Sequence, residues 1–169
     1  MANVIFITGG QRSGKSSFAQ QKAEELAPGP VYVATARVWD EEFRQRIQRH
    51  QHDRGPHWTT IEEEKYLSQP DLTGRVVVLD CVTLWLTNFF VDNDFNTEQS
   101  LEQAKAEWKQ LIEQDFTLLV VSNEIGMGII PDKEMTRHFA DLQGWMNQFI
   151  ARTANEVYLM VSGIPVKIK

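Results

Sequence analysis

The residues with the most specific chemistry lie near the N-terminal end, where Gly9-Gly10-Gln11-Arg12-Ser13-Gly14-Lys15-Ser16 satisfies G-x-x-x-x-G-K-[ST]. Glycines let successive backbone N–H groups turn inward around phosphate oxygens, and a helix N-terminus behind them favours an anion. In that setting Lys15 reaches the β- and γ-phosphates of a nucleotide and the Ser16 hydroxyl is a ligand for Mg²⁺. A second candidate is Asp80, a carboxylate closing the apolar run Val76-Val77-Val78-Leu79. In a phosphate-loop protein an acid so placed meets the Mg²⁺ directly or through water; the plainer alternative is a cap for the segment that follows. The third is a cationic cluster at 44–58, with Arg44, Arg46, Arg49, Arg54, His50, His52 and His57 in an acidic chain. Arginine forks match phosphate oxygens and could neutralise a triphosphate, while as a bare charge run the cluster reads more readily as a solvated face offsetting Asp40, Glu41 and Glu42. Arg46 and His50, four apart, share one side of a helix, and neighbouring cations favour the neutral, nucleophilic imidazole. The same cations disfavour a metal site built from His50, His52 and His57.

These residues need a frame that brings them together. Short apolar runs rich in β-branched residues recur at 4–7, 31–34, 76–79, 118–121 and 157–161, and segments with helical spacing separate them. That alternation predicts an α/β protein with a mostly parallel central sheet and helices on both faces, the phosphate loop following its first strand. Helices are expected at 15–26, 40–50, 99–114 and 135–153, each amphipathic enough to cover a sheet face. Segments 53–74 and 92–97 read as loops. Asn123 to Pro131 reads as a strand-to-helix turn built on Gly126 and Gly128. Trp85, Leu86, Phe89 and Phe90 either pack on the sheet or line a subunit contact, with core packing the favoured outcome.

Composition narrows the function. A chain of 169 residues fits one domain spanning 1–169 and can bury about 68–70% of its unfolded surface without covalent staples. Cys81 is the single cysteine, which excludes an intramolecular disulfide framework and a cysteine zinc site. The formal charge of −6 argues against bulk nucleic-acid binding. With no apolar stretch near the roughly 18 residues a membrane span needs, and no basic segment leading a long apolar one at the start, a soluble cytoplasmic protein is expected. A GTPase switch would need Asp-x-x-Gly and Asn-Lys-x-Asp; Asp80 is followed by Cys81-Val82-Thr83, and the nearest asparagine candidate is Asn123-Glu124-Ile125-Gly126. A motor ATPase has little room in this length. A small-molecule transferase fits better, with a nucleotide-binding regulator as its non-catalytic rival.

At this point the chain resembles a known family, the bifunctional adenosylcobinamide kinases and adenosylcobinamide-phosphate guanylyltransferases of cobalamin biosynthesis. The resemblance runs through seven ordered blocks. They are Thr8 to Ser16, Tyr32-Val33-Ala34-Thr35-Ala36, Arg46-Ile47-Gln48-Arg49-His50, Trp58-Thr59-Thr60-Ile61-Glu62, Asp80-Cys81-Val82-Thr83, Asn123 to Pro131, and Val161 to Lys169. It implies two reactions. The aminopropanol hydroxyl of adenosylcobinamide takes the γ-phosphoryl group of GTP or ATP; a histidine then attacks the α-phosphate of GTP, releases pyrophosphate and passes GMP to the new phosphate, giving adenosylcobinamide-GDP. By position the guanylylated histidine is His50, with His52 the second candidate because Gln51 stands where relatives commonly carry a basic residue. His57 is expected to be a structural partner, and His138 structural or solvent-facing. The resemblance further implies that Gly9 to Ser16, Ala34, Thr35, Ala36, Gln51, His52, Asp53, Arg54, Glu62 and Asp80 contact the nucleotide or its Mg²⁺. It suggests a homotrimer, and it leaves Gly126 and Gly128 to admit the bulky corrinoid, with Glu124 as general base for the alcohol. Imidazole chemistry agrees, since a phosphoramidate stores a nucleotidyl group on a labile P–N bond. Two alternatives stay open: a phosphate-loop kinase lacking guanylyl transfer, and the regulator named above.

Overall fold

The computed structural model describes residues 1–37 and 55–169. Among the described residues seven strands form one sheet: β1 (Asn3–Gly9), β2 (Val31–Ala34), β3 (Thr59–Glu62), β4 (Val76–Asp80), β5 (Thr117–Val121), β6 (Glu156–Val161) and β7 (Ile164–Lys167). Their spatial order is β3-β2-β4-β5-β1-β6-β7, every pair parallel except the β6–β7 hairpin. The helices among the described residues are α1 (Lys15–Leu26), α2 (Val82–Asp92), α3 (Thr97–Leu111) and α4 (Glu134–Thr153), with a 3₁₀ turn at Ile125–Met127. The helix expected at 40–50 lies outside the described residues.

The expected mostly parallel sheet, covered on both faces, is what forms. A strand buried on both sides is apolar throughout, and alternate side chains go to opposite faces. In β1, Val4 and Phe6 join the larger core with Val77, Leu79, Leu118, Val120 and the buried sides of α2, α3 and α4. Ile5 and Ile7 face the smaller core with Ala19 and Ala23 of α1. Trp85, Leu86, Phe89 and Phe90 are all buried in the larger core, so the apolar cluster packs on the sheet, and Trp85 Nε1 donates to the Lys65 carbonyl at 2.9 Å.

Differences from expectation have local causes. The segment 53–74, read as a loop, contributes β3, a four-residue edge strand whose side chains are mostly exposed, so it shows no apolar signature. α3 starts at Thr97 rather than 99 because the Asn96 side chain accepts from Gln99 N at 2.9 Å and caps it. β7 carries Pro165, tolerated because β7 is the outermost strand.

Candidate active site

All six parallel strands end at one edge of the sheet, and there β1 runs straight into the glycine-rich turn before α1. The turn demands its glycines. Gly9 has φ 152, and a Cβ there would meet the Met160 carbonyl oxygen at 2.8 Å; Gly14 caps α1 at φ 90 with room for only Gly163 behind it, 3.2 Å from where a Cβ would lie. The β6–β7 turn thus braces the loop from below, Gly163 N donating to the Ser13 carbonyl at 3.0 Å. Arg12 takes the left-handed conformation at φ 59. Lys15 is buried and its Nζ donates to the Gly10 carbonyl at 2.5 Å. Burial lowers its pKa, with Cys81 and Asp80 acting in the opposite sense.

This turn opens on a cavity of about 800 Å³ lined by Gln11 through Ser17, Ala34, Ala36, Asp80, Asn123 and Glu124, among others. Ser16 and Asp80, the candidate metal ligands, therefore face one space, Asp80 arriving on β4 across the intervening strand β5. Ser13 Oγ is buried with no hydrogen-bond partner among the described residues. A hydroxyl without a partner in a glycine-rich turn before a helix fits an incoming phosphate oxygen. Of the other expected residues, Gly9 and Gly10 form the turn behind the wall. Thr35 is fully buried. Its hydroxyl donates to the Cys81 carbonyl at 2.9 Å and accepts from Cys81 N at 3.2 Å, locking the end of β2 to the residue after Asp80. Glu62 lies one strand further out, in a separate polar depression with Arg37, Glu63, Glu64, Lys65, Tyr66 and Asp92. Arg44, Arg46, Arg49, His50, Gln51, His52, Asp53 and Arg54 lie outside the described residues.

The remaining histidines behave as surface partners. His57 Nε2 is 3.3 Å from Glu24 of α1, which also accepts from Trp58 Nε1 at 2.9 Å. His138 pairs weakly with Glu134 one helical turn away, at 3.8 Å. Cys81 is buried, and that burial, with Asp80 beside it, pushes its thiol up to about 12, so it is an inert wall residue.

Sequence reasoning missed the polar residues that hold Glu124 and Asn123 from behind the cavity. Glu124 Oε1 accepts from Thr8 Oγ1 at 2.7 Å and from Asn147 Nδ2 at 3.1 Å, and Glu124 N donates to the Gly9 carbonyl at 3.0 Å. Asn123 Nδ2 donates to Thr83 Oγ1 at 2.8 Å. Two amides, Gln143 and Asn147, on the buried side of an otherwise apolar helix face were the available signal.

A strand, a phosphate-cradling turn, a buried lysine at a helix start and a carboxylate on a non-adjacent parallel strand make this a P-loop nucleotide-binding α/β protein. Within that class the particular family is clear. Residues 5–168 match cobinamide kinase / cobinamide phosphate guanyltransferase, and the chain belongs to that family. Among curated proteins it is 39% identical over 181 residues to the bifunctional adenosylcobalamin biosynthesis protein CobU of Escherichia coli (strain K12), covering 98% of this chain and 99% of that one. It is 37% identical over 183 residues to the protein of the same name from Salmonella typhimurium, covering 98% and 99% of the two chains. Identity to the bifunctional adenosylcobalamin biosynthesis protein CobP of Pseudomonas aeruginosa is 37% over 167 residues, covering 96% of this chain and 95% of that one. No helix among the described residues is long and apolar enough to cross a membrane.

Proposed function

We propose that this protein phosphorylates the aminopropanol hydroxyl of adenosylcobinamide with GTP or ATP, and then transfers GMP from GTP through a guanylyl-histidine to give adenosylcobinamide-GDP. The observation that carries this is the family match across residues 5–168 in a chain whose P-loop, Lys15, Ser16 and Asp80 converge on one cavity. Phosphoryl transfer asks mainly for positioning and charge neutralisation. Lys15 supplies a fixed cation, the glycine-rich turn Gly9 to Gly14 would turn N–H groups toward a phosphate, and Ser13 Oγ has no acceptor among the described residues. Ser16 and Asp80 would hold Mg²⁺: both offer hard oxygen atoms, and a site with two protein ligands suits an ion that keeps phosphate and water oxygens for the rest. When bound, that ion adds neutralisation of phosphate charge. His50 is the proposed nucleophile at the α-phosphate and His52 its alternate, with Gln51, Asp53 and Arg54 beside the nucleotide. Ala34 and Ala36 line the same cavity, and Glu62 belongs to the depression next to it, where it would meet the distal part of a bound nucleotide.

The corrinoid is proposed to enter over the segment after β5. Among the described residues nothing stands against Gly126 and Gly128 there, and Met127, Ile129 and Ile130 are exposed beside them. A homotrimer belongs to the same proposal; the exposed apolar side chains of Val161, Ile164, Val166 and Ile168 at the β6–β7 edge support burial against another copy.

The test uses α-labelled and, separately, γ-labelled GTP with Mg²⁺, denaturing the protein and comparing it with His50→Ala. Acid-labile protein-bound label is expected from the α position alone and is lost in His50→Ala. Label persisting in that variant transfers the role to His52 or His57. An unlabelled wild type that still transfers γ-phosphate to the corrinoid would leave a kinase without guanylyl transfer.

A further inference from the structure

We infer that Asn147, in the middle of α4, is a positioning residue that holds Glu124 as proton acceptor for the kinase step. The inference rests on the reading above, in which an alcohol attacks a γ-phosphate. It starts from an oddity of packing. The buried side of α4 is Leu142, Gln143, Met146, Asn147 and Ile150, so two of five positions facing the sheet are amides. Apolar residues of similar volume would serve packing at least as well. Polarity has a cost here, because Gln143 Oε1 is buried with no hydrogen-bond partner among the described residues. Residues that break the local rule for a buried helix face point to a role outside stability.

The hydrogen bonds identify that role. Asn147 uses its whole bonding capacity: Nδ2 donates to the Asn123 carbonyl at 3.0 Å and to Glu124 Oε1 at 3.1 Å, while Oδ1 accepts from Ser122 Oγ at 2.6 Å and Gln143 Nε2 at 3.0 Å. Ser122 in turn accepts from Gln143 Nε2 at 2.9 Å. The amide orientation is therefore fixed from behind, and it grips three successive residues, 122 to 124, where β5 ends at the cavity. Thr8 Oγ1 supplies the second donor to Oε1. Among the described residues no donor reaches Glu124 Oε2, and Glu124 lines the cavity with Lys15, Ser16 and Asp80. One carboxylate oxygen is clamped and the other is open. In the step assigned to it, the substrate oxygen bonds to the γ-phosphorus as the bond from that phosphorus to the β,γ-bridging oxygen breaks. The hydroxyl proton passes to Glu124 Oε2, leaving a phosphate monoester and a nucleoside diphosphate.

The test measures steady-state phosphoryl transfer from GTP to adenosylcobinamide. The variants are Glu124→Gln, Asn147→Asp, Thr8→Val and the double variant Glu124→Gln with Asn147→Asp. Asn147→Asp keeps the side-chain shape and turns the donor toward Glu124 into an acceptor; Thr8→Val removes the other donor without touching α4. Retention of a GTP-induced rise in Tm shows which variants fold. The expected result is a fall in kcat of about 10²-fold or more for Glu124→Gln and about 10- to 10²-fold for Asn147→Asp and Thr8→Val, with KM for GTP little changed. The double variant is expected to be no slower than Glu124→Gln, because Asn147 acts through Glu124. Wild-type kcat in folded Asn147→Asp, or losses that multiply in the double variant, overturns the inference while wild-type transfer still stands. A wild-type protein that transfers no phosphate to the corrinoid overturns the functional reading and this inference with it.

Discussion

Lys15 occupies a position that only a phosphate makes comfortable. Its ammonium is buried against a carbonyl, and desolvation lowers its pKa despite Asp80 and Cys81 nearby. Removing a charge that burial disfavours should not weaken the nucleotide-free protein. For Lys15→Met the expected outcome is a Tm without nucleotide no lower than wild type, loss of most of the nucleotide-induced rise, and transfer rates down by about 10²–10³-fold; differential scanning fluorimetry and the labelled-GTP assay measure both sides. Cys81 gives a second check at this scale. A buried thiol pushed up to about 12 has almost no thiolate at pH 8, so iodoacetamide is expected to leave the native protein unmodified and to label it in urea. Lys15, Ser16 and Asp80 were legible in the sequence because each is read from contiguous neighbours. Asn147 and Thr8 were not, because their meaning arises only where α4 and β1 meet the end of β5.

Between elements, the clearest tie outside the core joins the stretch after β2 to the end of α2. Arg37 donates to Asp92 at 2.6 and 2.8 Å and to Glu64 at 2.5 Å, and Lys65 reaches the same Asp92 at 2.9 Å. These partners, Arg37 first and Lys65 next, hold the Asp92 carboxyl well below the usual range. A carboxyl depressed in the folded state contributes stability above its unfolded value of about 3.9, and that contribution is lost as the pH falls through the lowered folded value. Asp92 is one-third exposed, so solvent screening keeps the contribution to about 1 kcal/mol or less. Asp92→Asn is expected to lower Tm by up to about 2–4 °C at pH 7, and melts taken down through the carboxylate range should converge with wild type. The same scale explains which elements the sequence revealed. α1 announced itself by a glycine before it and apolar spacing along one side, and it spans the expected residues. α2 hid because Val82-Thr83-Leu84-Trp85-Leu86 is apolar nearly all round, which leaves no helical period to detect. β3 and β7 hid because a short, mostly exposed strand at a sheet edge carries no buried apolar run.

For the molecule as a whole, nucleotide binding should be visible as stability. A ligand that binds only the folded chain at 100 times its Kd adds about 2.7 kcal/mol, which for a chain of this size corresponds to a Tm rise of about 5–10 °C. GTP with Mg²⁺ is expected to give a rise of that order, and a flat response across a full titration would show that the cavity does not take the nucleotide. The order of assembly follows from the strand order. β1 lies between β5 and β6, with Asn3 paired to Thr117 and Ile5 to Glu156, and the loop after it rests on Gly163. During synthesis β1 waits for partners made more than a hundred residues later. Such non-local pairing slows folding and leaves that strand exposed meanwhile. The phosphate cradle therefore cannot be braced until the β6–β7 turn that carries Gly163 has been made.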